Sequence, residues 1–84
     1  MKLFVKNIDG SVNEVLLESI FRQFGEVVDT KIIYDKITWE SKEFGFVLFK
    51  NREDGEKAIE GLDGKELVGK KLSVSEAIEK RSYS

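Results

Sequence analysis

Eighty-four residues, 40% hydrophobic and 36% charged with seven glycines and no proline, suit one small domain and leave no room for a second. Cysteine and histidine are both absent, which removes disulfides, thiolate or imidazole metal sites and the commonest general base, so an enzyme would start from a poor inventory. A formal net charge of −2 argues against strong, indiscriminate binding to a polyanion.

Along the chain, residues 2–8 (KLFVKNI) alternate Leu3 and Val5 against Lys2, Phe4 and Lys6, which predicts a strand. Asp9-Gly10 breaks the alternation, and Asn13 is a good N-cap, with Val12 and Leu17 placed as a hydrophobic staple. Ser11 with Glu14 is a competing capping box that would start the helix two residues earlier. Leu16, Leu17, Ile20, Phe21 and Phe24 recur at helical spacing and predict a helix over residues 14–24 with this stripe in the core. Gly25 is then expected to end that helix in a left-handed conformation. Residues 27–34, rich in β-branched side chains, predict a second strand with Val28, Thr30, Ile32 and Tyr34 opposed to Asp29, Lys31 and Ile33. Residues 35–43 carry no clean period and read mostly as loop.

The third strand, residues 42–49 (KEFGFVLF), turns Phe44, Phe46 and Leu48 to one side and Gly45, Val47 and Phe49 to the other. A strand apolar on both faces is usually central and covered twice. If helices cover one side alone, two phenylalanines are left facing water, and such exposed rings usually bind something. Next, Asn51 with Asp54 predicts the start of a second helix whose buried stripe is Ala58, Ile59 and Leu62. Gly55 inside it costs about 1 kcal/mol relative to alanine. Asp63-Gly64 ends the helix, Val68-Gly69 makes a turn, and residues 71–76 alternate Leu72 and Val74 against Ser73 and Ser75 as a last strand.

The order βαββαβ predicts an α+β fold, the ferredoxin-like split βαβ arrangement: a four-stranded antiparallel sheet with two helices packed on one face. The first and third strands become the central pair, so Phe4 joins Phe44 and Phe46 on the open face. Acids crowd the helices (Glu14, Glu18, Glu53, Asp54, Glu56, Glu60), whereas Lys2, Lys6, Lys31, Lys42, Lys50, Lys70 and Lys71 lie on or beside strands. The expected molecule is acidic behind and basic in front.

Residues 3–8 (LFVKNI) and 42–49 (KEFGFVLF) resemble the two signature strands of the RNA recognition motif, and the second fits at every position but Glu43, where the family has glycine. The resemblance runs from Lys2 to about Ala77, which marks residues 1–77 as the domain and 78–84 as a C-terminal tail. It implies that Phe4 and Phe46 stack on bases, that Phe44 lies against riboses and that Lys42 meets phosphate. Lys2, Lys6 and Lys31 add positive charge for the backbone, while Ser75 and Ala77 offer main-chain and polar groups for base choice.

The implied partner is single-stranded RNA, with single-stranded DNA held weakly, bound by a monomer without catalysis, cofactor or metal. Two rivals stand beside this reading. One is a protein-binding domain of the same fold using the acidic helical face or the loop at residues 37–40; the other is an enzyme of similar topology, for which no converging titratable groups are evident. The loop reads DKITWESK where family members often have DRETGRSK, so Trp39 is an extra stacking surface, an anchor for a protein, or a ring folded back on the sheet edge. Ile78 and Tyr83 offer another alternative, a tail folded across the sheet to cover the rings. The apolar run at the amino terminus is too short for a signal peptide, and no segment has the length of a membrane span. The expected location is cytoplasmic, with the nucleus or an organelle matrix left open.

Overall fold

Alternation sets β1 (Lys2–Lys6), whose Leu3 and Val5 are fully buried while Lys2 and Lys6 stay exposed. The computed structural model describes residues 1–77, and the alternative of a tail that carries Ile78 and Tyr83 across the sheet lies outside them. α1 (Glu14–Phe21) starts where Asn13 accepts a hydrogen bond from the Leu16 N–H at 2.9 Å. Ser11 does not compete for the cap, because its N–H and hydroxyl both donate to Asp9. Val12 and Leu17 are both buried, as the staple requires. Of the expected stripe, Leu17 and Phe21 are buried and Ile20 and Phe24 pack against the core, but Leu16 is exposed.

The helix tightens into a 3-10 turn (Arg22–Phe24), and Gly25 follows with φ 160°, extended rather than left-handed. Space explains this glycine better than conformation does: a Cβ there would overlap the Asp54 side chain.

β2 (Val27–Tyr34) contains a bulge between Val27 and Asp29, so Val27 packs on the core and Val28 is exposed, against the simple alternation expected. β3 (Ser41–Phe49) begins earlier than its apolar pattern, within the expected loop. α2 (Arg52–Leu62) buries Gly55, Ala58 and Leu62. Asn51 occupies its N-cap position without capping the backbone; its amide donates to Asp54 Oδ2 at 3.4 Å instead.

The turn at Val68-Gly69, with φ 52° and 82°, closes a small hairpin of β4 (Glu66–Leu67) and β5 (Lys70–Lys71). The last sheet strand, β6 (Ser73–Glu76), therefore starts two residues later than expected. β2, β3, β1 and β6 form one antiparallel sheet in that order, with β1 and β3 central. Leu17 and Phe21 of α1 and Ala58 and Leu62 of α2 share one core with Leu3, Val5, Val47, Phe49 and Val74. Both helices thus cover the same face, and the expected α+β split βαβ arrangement is the fold.

Candidate nucleic-acid interface

Strand register turns the face opposite the helices into an array of rows. One row runs Lys31, Phe46, Phe4, Ser75 across β2, β3, β1 and β6; the next runs Asp29, Leu48, Lys2; and Lys6 sits opposite Phe44 on the other side. Ala77 extends the second row, its N–H donating to the Lys2 carbonyl at 2.8 Å.

The three rings touch. Phe4 lies nearly parallel to Phe46, with centroids 5.2 Å apart at 21°, and meets Phe44 edge-on at 5.7 Å and 81°. All three are half-buried, with no helix among the described residues over them, because their strand neighbours Leu3, Val5, Val47 and Phe49 fill the core on the other side. Lys2 Nζ stands 4.5 Å from the Phe46 centroid and Lys6 Nζ 5.6 Å from that of Phe4. Cations over ring faces are weakly attractive at exposed sites, so the arrangement prepays little and keeps both charges beside the rings. Lys2, Asp29, Lys31, Phe46, Leu48 and Ala77 line a shallow depression next to the stack.

Lys42 stands apart. It is exposed at the irregular start of β3, where Tyr34 pairs with Ser41 and the register slips, and its charge helps to stabilise the Asp35 carboxylate. The N–H groups of Thr38 and Ile37 do more there, donating to Asp35 Oδ1 and holding its carboxyl below the usual range. They fix a tight loop that carries Ile37 88% exposed and Trp39 75% exposed, so the Trp39 ring is not folded back on the sheet edge.

Glu43 occupies the family's glycine position with φ 65°, and its carboxylate is paired with Lys70 Nζ at 2.8 Å. Sequence reasoning missed Lys70 as its partner, since the pairing spans the chain from β3 to β5. It also passed over Asp29, which lines the depression beside Phe46, although the alternation with Lys31 was there to place it on this face.

Residues 3–73 match the family described as RNA recognition motif. The chain belongs to that family. This RNA recognition motif is 45% identical over 76 residues to glycine-rich RNA-binding protein GRP2A of Sinapis alba, a match covering 90% of this chain and 45% of the relative. Among solved structures, it superposes on a protein described as RNA Binding Protein PG1 with a TM-score of 0.91 and 37% identity, covering 96% of this chain and 98% of that one. A solved complex described as Sxl-lethal protein with RNA gives a TM-score of 0.90 at 29% identity, covering 95% of this chain and 48% of that one.

The chain spans about half the length of the first curated relatives it matches, 45% and 48% of each. Other relatives, both of Arabidopsis thaliana, are named as chloroplastic or mitochondrial, so a cytoplasmic location is not a property of the family. No helix among the described residues is long and apolar enough to cross a membrane.

Proposed function

We propose that this RNA recognition motif binds single-stranded RNA on the open face of its sheet and does no chemistry on it. The observation that carries the reading is the half-buried cluster of Phe4, Phe44 and Phe46 on the face opposite the helices, with the Lys2 and Lys6 ammoniums over two of the rings. Aromatic faces stack on unpaired bases, and nearby cations meet the backbone that links them. Phe4 and Phe46 take bases, and Phe44, edge-on to Phe4, lies against sugar. Lys2, Lys6, Lys31 and Lys42 serve phosphates, while Ser75 and Ala77 present polar and main-chain groups at the β6 side. One copy suffices, because every ring and lysine comes from one chain. RNA is favoured over DNA by the names of the relatives and by the RNA complex among the structural neighbours.

Titration of isotope-labelled protein with a pool of short random single-stranded RNAs, followed by backbone amide shifts, tests the reading. Shifts should concentrate on β1, β3 and the residues around Ser75 and Ala77. Shifts confined to α1, α2 or the 37–40 loop would replace this reading with the protein-binding use of the fold.

A further inference from the structure

Among the described residues, Asp29 is the one carboxylate lining the depression beside the ring stack. An acid repels phosphate, so its presence among Lys2, Lys31 and Phe46 needs a reason. Register places Asp29 opposite Leu48, one row from the pair of Lys31 and Phe46, so it stands about 7 Å along the strand from the row that carries the stacked rings. A base lying on Phe46 would extend one edge toward it.

A plainer role exists and is incomplete. Asp29 Oδ1 accepts the Thr30 N–H at 2.9 Å, next to the β2 bulge, which engages one oxygen and leaves Oδ2 to other donors. Nor do the two lysines lining the depression close on it, since no ion pair involves Asp29 among the described residues.

We propose that Asp29 reads the base stacked on Phe46 and selects guanine. The inference rests on the RNA-binding reading above. An ionised carboxylate can only accept hydrogen bonds. Guanine alone among the four bases presents two adjacent donors, N1–H and the N2 amino group, which match two carboxylate oxygens: Oδ2 is free to accept one, and Oδ1 accepts the other on the lone pair that the Thr30 N–H does not use. Uracil offers a single N3–H between two carbonyl oxygens that the carboxylate repels, whereas adenine and cytosine each set one amino group beside a ring-nitrogen acceptor. Lys2 and Lys31 keep the depression positive despite the acid, which favours the phosphates that flank the base.

The test uses the whole chain, wild type and Asp29→Asn, against six-nucleotide RNAs of uridine in which one central position is guanine, adenine, cytosine or uridine. Asparagine keeps an acceptor for the Thr30 N–H and nearly the same shape, and an unchanged melting curve verifies that the variant is folded. Wild type should bind the guanine RNA about tenfold or more tightly than all-uridine RNA. Asp29→Asn should erase most of that ratio, chiefly by losing guanine affinity. Equal improvement for all four RNAs would make the carboxylate a mere electrostatic brake and overturn the proposal while leaving RNA binding intact. Absence of guanine preference in the wild type overturns it in the same way. If none of the four binds, the proposal and the RNA-binding reading fall together.

Discussion

Glu43 shows what the family's glycine is for. Its φ of 65° is a left-handed conformation that costs an ordinary residue about 1–2 kcal/mol, and its carbonyl is fixed there by the Ile8 N–H at 2.9 Å. The ion pair with Lys70 is partly exposed and offsets at most about 1 kcal/mol. Glu43→Gly should therefore raise stability by about 1 kcal/mol or less, read as a rise of the melting midpoint by up to roughly 4–8 °C. A fall in the midpoint would mean that the pairing with Lys70 outweighs the backbone strain. Because Lys70 already neutralises the carboxylate, Lys70→Ala should weaken RNA binding in wild type and leave it unchanged in the Glu43→Gly background. The rings divide by face in the same manner. Phe46→Ala or Phe4→Ala should keep the fold and lose about 1–3 kcal/mol of RNA binding, whereas Phe49→Ala, at 1% exposure, should cost about 3–5 kcal/mol of stability. Unfolding by Phe46→Ala would place that ring in the core and end the platform idea.

At the scale of elements, helix propensity and packing pull α2 in opposite directions. Propensity says that Gly61→Ala should stabilise an exposed helical turn by about 1 kcal/mol. The Phe24 ring, however, sits where the new methyl would go, 2.6 Å from Cζ, so the substitution should lower the melting midpoint. Met1 fills the corresponding place over Gly55, with Sδ 2.6 Å from the would-be Cβ, and this accounts for a glycine that looked only costly in the sequence. Such contacts were illegible beforehand because they join residues far apart in the chain. Alternation and helical spacing did reveal every strand of the four-stranded sheet, both long helices and the faces of Phe4, Phe44 and Phe46, but not the small β4–β5 hairpin. They failed at Val28, where one bulged residue reverses the period, and at Lys71, which a two-residue hairpin takes out of the last strand. The β2–β3 loop is stiffened by Asp35 yet presents Trp39 to water, so free-protein emission should be that of a solvated indole and sensitive to a neutral quencher. Added RNA that quenches or shifts it makes Trp39 a stacking surface; unchanged emission leaves it as an anchor for a protein.

Taken whole, the chain has no histidine, so no side chain ordinarily titrates between about pH 5 and 8, and stability should be flat across that window. Asp9, held low by the Ser11 hydroxyl and N–H, and Asp35, held low by the Thr38 and Ile37 N–H groups, contribute stability that is complete above the ordinary value of 3.8 and disappears as pH falls through their lowered ones. Burial raises Tyr34 above 10.0, so the unfolded chain ionises first in alkali and stability declines as pH climbs from there. Melting midpoints from about pH 3 to about pH 11 should trace that plateau, and a step near neutrality would contradict it. RNA affinity should also depend gently on salt: with roughly 2–4 phosphates engaged, the log–log slope is about −0.7 for each. The slab measures 35 × 35 × 21 Å, with Lys2, Lys6 and Lys31 on one broad side and Glu53, Glu56 and Glu60 exposed on α2 at the other. At physiological salt the screening length is about 8 Å, so a phosphate arriving at the rings meets the lysines and is shielded from the acids behind them. At about 0.01 M salt that length grows to about 30 Å and exceeds the slab's thickness, bringing the rear acids into view. Encounter should therefore quicken on moderate dilution of salt and then level off, because the same dilution that exposes the front's attraction finally exposes the back's repulsion.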